Sequence, residues 1–585
     1  MTARQLEVRF PLLLVLLVAI SITWTPIYAK PVPSPFDYSI LEKTAILNDA
    51  RTKPLDTFAR ETMRLVTSRE YWSESKAPHP FLARDPMTNL LSMLFEPDKW
   101  KEIPCIFLVS ADVKKVLGVD PLSQWISYNQ LRSNSGLKEA FNEVIRKQQA
   151  DENPTPLDRH IGDLHGVLNR LDGIFFGTDI KVVPVQISND IKWISLEEMA
   201  GMQDSEPLRA SLAGMLAGFT TSDTGKFATS ARELATQLRT RGGSHYPTDK
   251  VLGYEITYNK SKPFRKAWIF LLLGAILYAI SMGVASRLTY LAAWGFTVTG
   301  FILSSYGLML RVLVAGRPPV SNMYESVVYM GWGVLLFAGI FELIYRQRIF
   351  GLCGAAMGVV VLTLADMLPF DPAISPLVPV LRSNYWLLIH VMTIVISYSA
   401  FALAMAIAHL SLSLYLFTPQ KKELIRITNN FVYRAIQVGV LLLTAGTILG
   451  GVWANESWGR FWGWDPKETW AFISIVGYLA LLHARYSGLV GPFGVSVGAV
   501  VGFQLILMTW YGVNFILAAG LHSYGFGTGG QGYVVAYLAA EILFLVMVAV
   551  RYKFFGTGLK QVLHEEAVRG KISHSSGNTP EPTTT

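Results

Sequence analysis

From about residue 30 to residue 265 the chain mixes charged, polar and apolar positions, and from Ala267 to Val550 it becomes one apolar block after another. A bilayer core about 30 Å thick needs roughly 20 apolar residues in a helix that rises 1.5 Å per residue. That rule marks nine spans, near 266–284, 288–312, 324–345, 349–368, 385–415, 432–453, 468–487, 495–517 and 533–551. An earlier apolar run, Phe10 to Trp24, comes after Arg4 and Arg9 and reads as an export signal or a retained anchor, with Ile27 disfavouring cleavage after Ala29. The pattern predicts a polytopic α-helical membrane protein of about 9–10 transmembrane helices with an exported N-terminal domain. The divisions are 1–29 anchor or signal, 30–265 extracytoplasmic domain, 266–552 membrane domain and 553–585 cytoplasmic tail. HSSGNTPEPTTT in that tail is too polar and too rich in Pro and Thr to fold.

The exported region alternates short apolar runs, IPCIFLVS at 103–110 and IKVVPVQIS at 180–188, with helix-like stretches such as SARELATQLRTR at 230–241, which predicts a mixed α and β domain. His160 and His165 have no cysteines or carboxylates at metal-site spacing beside them and read as surface residues.

A chain of 585 residues exceeds one ordinary core, and its net charge of +8 is informative through its placement. Threading from an external N-terminal domain, the inner loops hold Arg287, Arg346, Arg348, Lys421, Lys422, Arg426, Arg434, Arg485, Arg551, Lys553 and Lys560. The outer loops hold fewer cations, chiefly Arg317, Arg382, Arg460 and Lys467. The excess is therefore a topological signal and no nucleic-acid footprint. It places the loops 313–323, 369–384 and 518–532 outside, together with WGRFWGWDPKETW at 458–470. The two cysteines, Cys105 and Cys353, form no CxxC, which excludes a thiol redox motif or zinc site, and no CxxCH exists for covalent haem on this chain.

Five of the fifteen tryptophans, Trp453, Trp458, Trp462, Trp464 and Trp470, fall in one short stretch with Gly459 and Gly463 between them. Interface belts scatter aromatics over many helix ends, whereas a contiguous cluster with intervening glycines turns several rings toward one flat apolar ligand. Asp465, Pro466 and Glu468 form a capping pattern that opens the next helix, and Asp465 is equally placed to orient a ligand or a histidine.

His390, about five residues and so roughly 8 Å below the outer end of its span, and His522, just beyond the outer end of another, share the level of the tryptophans. Two neutral imidazoles on opposite faces suit a six-coordinate haem iron, with aromatic walls around the macrocycle. His483 lies roughly 22 Å further toward the inner side. Glu325, Glu342 and Asp366 fall near span ends, where helix-end interactions or snorkelling account for them.

WGRFWGWDPKETW resembles the WWD signature of haem-handling proteins. GRPPVSNMYESVVYMGW at 316–332 and the span YWLLIHVMTIVISYSAFALA resemble the CcsA (ResC) family of system II cytochrome c biogenesis, over about residues 266–552. ILNDARTKPLDTFARE at 46–61 looks like part of extracytoplasmic domains fused to that family.

The resemblance implies that His390 and His522 are the external haem axial ligands and that His483 serves an intramembrane haem site. It also implies a bacterial inner membrane location, with haem b delivered to the external face and its vinyl groups presented to the CxxCH thiols of an apocytochrome. On that reading the chain is a cytochrome c haem lyase acting with a ResB/CcsB-like subunit, its substrate thiols kept reduced by a thioredoxin-like protein. In the family the ResB component supplies the partner of His483. A separate subunit is expected here because the N-terminal run lacks histidine, with His409, roughly 28 Å below His390, as the second candidate. The alternatives are a b-type di-haem electron-transfer protein and a system I-type haem exporter.

Overall fold

The computed structural model describes residues 31–555 apart from 109, 151, 153, 188–189, 285, 368–369, 378–382, 518–519, 521 and 523–530. The expected anchor at 1–29 and the tail beyond Phe555 lie outside the described residues. The chain divides into two units, one running to Pro263 and including Gly307–Arg317 and Pro372–Leu377, the other made of Phe264–Tyr306, Pro318–Asp371 and the chain from Val378 onward.

The first unit is mixed α and β. Three antiparallel two-stranded ribbons, β1 (Ala45–Asn48) with β2 (Arg51–Pro54), β3 (Pro104–Phe107) with β4 (Trp125–Ser127) and β5 (Val183–Ile187) with β6 (Asp190–Ile194), sit among helices that include α1 (Leu55–Thr67), α2 (Pro156–Phe175) and α3 (Asp249–Ser261). The runs IPCIFLVS and IKVVPVQIS supply β3 and β5. Segment 46–61 folds as the β1–β2 hairpin leading into α1, and its two-residue turn holds both Asp49 and Ala50 at positive φ, 51° and 57°. Phe58, Met63, Trp100, Leu171 and Phe227 are fully enclosed in the core.

A charge network closes one side of this unit. Glu70 meets Arg60 at 3.0 Å, Arg64 at 2.7 Å and Lys262 at 3.1 Å, and Arg60 also meets Asp56 at 2.9 Å. Burial pushes the Glu70 carboxyl up, but Lys262, Arg64 and Arg60 outweigh it and hold the group down at about 2.

In the second unit lipid offers no partners to backbone N–H and C=O groups, so apolar blocks of this length close their hydrogen bonds as helices. They are α4 (Pro263–Val284), α5 (Arg287–Ala315, assigned to this unit as far as Tyr306), α6 (Met323–Tyr345), α7 (Ile349–Met367), α8 (Met392–Phe417), α9 (Lys422–Trp458), α10 (Pro466–Tyr486), α11 (Pro492–Leu507) and α12 (Gln531–Phe555). Among the described residues eight helices are long and apolar enough to cross a membrane. The exception is α10, whose Trp470, Ser474, Tyr478, His483 and Arg485 dilute its apolar residues. A π-helical turn, Leu387–Val391, precedes α8, and a π-helical segment, Met508–Leu517, continues α11.

The acidic residues of the spans have local partners. The Glu325 carboxylate accepts from Ser321 N at 2.8 Å and Ser321 Oγ at 2.6 Å at the start of α6, where Asn322 caps the Glu325 N–H at 2.8 Å. Glu342 accepts from Tyr290 Oη and from the N–H groups of Arg348 and Gly351, and Asp366 pairs with Arg265 at 2.6 Å.

Small residues bring α8 and α9 close. A β-carbon on Gly439 would lie 2.7 Å from the Phe401 ring, and one on Gly446 would lie 2.8 Å from Ile394 Cδ1. Elsewhere on α9, buried Asn429 ties three helices together: its Oδ1 accepts from Ser411 at 3.1 Å and Ser496 at 2.6 Å, and its Nδ2 donates to Tyr415 at 3.2 Å.

These contacts carry two stability predictions. Glu70→Gln is expected to cost the first unit about 3 kcal/mol at neutral pH. Because the folded Glu70 carboxyl is depressed, its stabilisation is complete above the ordinary carboxyl value of 4.5 and is lost as pH falls toward about 2. Thermal unfolding of wild type and variant should therefore converge across that window. Asn429→Leu strands the hydroxyls of Ser411, Ser496 and Tyr415 and is expected to cost about 1–2 kcal/mol, read as a lower melting temperature in detergent.

Candidate functional site

Helix α9 has 37 residues, or about 55 Å of rise, so it outruns a bilayer core. Trp458, expected on the loop, consequently stands with Trp453 on its last turns, and Gly459, at φ 69°, ends it in the left-handed conformation. Only Gly459–Asp465 separates it from α10, which opens with Asp465 as cap, Pro466 in the first turn and Glu468 reaching back. The Glu468 carboxylate accepts from Gly463 N at 2.8 Å and Asp465 N at 3.2 Å and faces Arg460 at 3.5 Å, which pins the short connection.

At this end of the bundle the first turns of α6 and α10, the last turns of α9 and both π-helical segments surround one cavity of about 1120 Å³, its open mouth included. His390 and His522 both line it. The His390 ring lies in a slot on α9, where a β-carbon on Gly450 would come within 2.5 Å of its Cε1. Its Nδ1 lies 2.8 Å from the Gly446 carbonyl oxygen, which can only accept, so Nδ1 carries the proton and Nε2 keeps its lone pair. Phe461 presses against Gly451 in the same way, its ring 2.6 Å from where a β-carbon would be.

His522 is oriented by a different device. Asp465 is buried, and its Oδ1 accepts from Lys467 N at 3.0 Å, as a helix cap, and from His522 Nδ1 at 3.0 Å. The two roles open at the level of the sequence are therefore filled by one carboxylate. His522 thus stands on the cavity wall with its Nδ1 held by a carboxylate, and a donor N–H held in this way raises the basicity of the nitrogen across the ring. A pair of such nitrogens suits a metal centre approached from two sides.

The five clustered tryptophans do not form one wall. Trp453 and Trp462 line the cavity, and Trp453 also meets His390 at 5.7 Å and stacks with Trp386 at 6.4 Å. Trp458 meets the His522 ring edge-on at 5.1 Å. Trp464 is 68% exposed and packs on Trp462 and Phe472, while Trp470 lies on α10 away from the cavity lining.

Tyr398, Phe461, Trp510 and Asn514 line the cavity without having been singled out in the sequence. For the glycine slot a signal existed: Gly446 and Gly450 stand four apart on an apolar helix, the small-residue spacing of close helix pairs.

His483 belongs to the opposite end of α10, with Nδ1 donating to Leu479 O at 2.7 Å and the side chain exposed. His409 does not join it. Its Nδ1 faces Met405 O at 2.9 Å and its Nε2 faces Glu541 Oε2 at 3.0 Å, so both nitrogens are engaged and neither is offered to a metal. In the first unit His165 stacks on Phe141 at 3.6 Å.

A family model described as Cytochrome C assembly protein matches residues 320–522, the stretch that contains both cavity histidines. Protein NrfI of Wolinella succinogenes is 30% identical over 82% of this chain, which spans about half, 53%, of that relative's length. Cytochrome c biogenesis protein CcsA of Prochlorococcus marinus (strain MIT 9215) is 37% identical over 37% of this chain and 79% of its own, and CcsA of Guillardia theta is 36% identical over 40% and 85%. The solved Cytochrome c Heme Lyase CcmF aligns over 51% of each chain at 14% identity and a TM-score of 0.38, a remote likeness. With 79% of a CcsA protein matched at 37% identity, this chain belongs to the CcsA family of cytochrome c biogenesis membrane proteins.

Proposed function

We propose that the chain binds haem b as a substrate between His390 and His522 and presents it, on the outer side of a bacterial cytoplasmic membrane, for attachment to CxxCH apocytochromes. The observation that carries this reading is the matched state of the two histidines: each gives its Nδ1 proton to a fixed acceptor, Gly446 O or Asp465 Oδ1, and each lines the same aromatic cavity. The outer placement rests on the asymmetry of Lys and Arg between alternate loops.

In attachment, a cysteine S–H adds across each haem vinyl group, and the ring supplies the reactive carbons. The work of this chain is to hold the iron, orient the ring and keep the site apolar. Trp453, Trp462 and Phe461 contribute the apolar walls. His483, exposed and with Nε2 unengaged by its helix, supports a partner histidine from a ResB-like subunit, and thiols competent for addition imply a thioredoxin-like reductant in the same compartment.

Haem co-purifying with the full chain, measured as pyridine haemochrome, tests the ligand assignment. His390→Ala and His522→Ala are each expected to weaken retention by about tenfold or more. Unchanged haem in both variants would falsify the assignment. Co-expression with a CxxCH reporter and a ResB-like subunit tests attachment, and haem that never becomes covalent on the reporter counts against it.

Gly450→Ala probes the slot separately. Alanine should stabilise the helix by up to about 1 kcal/mol over glycine, whereas the added carbon displaces the His390 ring. The expected outcome is a severalfold loss of haem without a lower melting temperature. Full haem retention in this variant would mean that the slot does not position His390.

A further inference from the structure

Lys467 is an odd residue for its place. It stands in the first turn of α10, at the positive end of the helix dipole, where a cation is disfavoured, and its side chain lines the cavity. Among the described residues its ammonium has one polar contact, the neutral Oδ1 of Asn514 at 3.3 Å, and no carboxylate at ion-pair distance. Asn514 is itself oriented, because its Nδ2 donates to Trp510 O at 2.9 Å and so turns Oδ1 toward the lysine.

The nearby acids are committed elsewhere. Asp465 holds His522 and the start of α10, Glu468 holds the Gly459–Asp465 connection and Arg460, and Glu456 accepts from Trp386 Nε1 at 2.6 Å. Glu325 is bound by Ser321. Segment 518–530, around His522, contains no aspartate or glutamate at all. Asp465 attracts the ammonium across the gap, but a partly buried cation whose one direct contact is an amide oxygen is still costly, and the cost is recovered when an anionic group enters beside it.

We propose that Lys467, positioned by Asn514, binds a carboxylate of the macrocycle and thereby sets the orientation of the ring in the cavity. The inference rests on the haem reading above and deepens it. Haem b carries its two propionates on one side of the ring and its vinyl groups away from them, so a charge-assisted contact to a propionate selects which edge turns toward Lys467 and which stays available for addition. His390 and His522 hold the iron but are indifferent to rotation of the ring about the axis between them. A third contact off that axis removes the freedom.

The test uses the full chain purified in detergent and freed of haem, titrated by Soret absorbance with ferric protohaem and with its dimethyl ester, which lacks ionised propionates. Wild type is expected to prefer protohaem by roughly tenfold or more. Lys467→Met should lose that factor for protohaem and leave the ester unchanged, so that the preference disappears, while Lys467→Arg keeps most of it. A Lys467→Met protein that retains the wild-type preference overturns the proposal. His390→Ala and His522→Ala run in parallel should weaken both ligands alike; if instead they bind both as wild type does, the failure lies in the haem site reading on which the proposal stands.

Discussion

The candidate site depends first on how closely α8 and α9 approach beside His390. Between membrane helices the apolar surroundings supply little drive for association, so contact comes from close packing and buried hydrogen bonds. Gly450 leaves the space that the His390 ring fills, and Gly446, one turn earlier, offers the carbonyl that takes its Nδ1 proton. The same helix surface therefore packs the imidazole, selects its tautomer and points its remaining nitrogen. His522 reaches the equivalent state through a side chain, the Asp465 carboxylate, which also starts α10. Fold and site share atoms at both positions: the Gly446 carbonyl that holds His390 belongs to α9, and the Asp465 carboxylate that holds His522 caps α10.

Irregular helix is the second device. A π-helical turn admits an extra residue and turns the side chains beyond it, an arrangement that is rare and recurs at functional sites. Here Leu387–Val391 carries His390, and Met508–Leu517 carries Trp510 and Asn514, so both departures from α geometry face the cavity. The walls are mostly helical, which holds ligands more precisely than a loop of the same residues would.

The tryptophan cluster shows how far one-dimensional reading carries. Its density points to the end of the bundle where the cavity lies, and the DPKE cap is present with the geometry that its residues implied. The division of labour within it was not legible, because α9 runs little more than one turn past the expected span before ending, and the helix turns about 100° with each residue, so Trp453 reaches the cavity while Trp464, beyond the helix end, stays exposed. His409 was similarly misleading. Its depth agreed with that of His483, but depth says nothing about azimuth, and Glu541 on α12 engages it.

Local rules were enough to read span length from bilayer thickness, the mixed first unit from short alternating runs, the helix start at Asp465 from capping chemistry, and a family signature in separated motifs. Each of these is settled within some twenty residues of chain. The membership of the cavity is not, since residues from 320 to 522 converge there and no periodicity links Val320 to His522. Only packing in three dimensions makes Gly446 and Gly450 a seat for His390 and gives Lys467 an amide where a carboxylate would be expected. The physical reason is that close approach between helices depends on which faces meet, and a helix of apolar residues all round does not announce its faces in its own sequence.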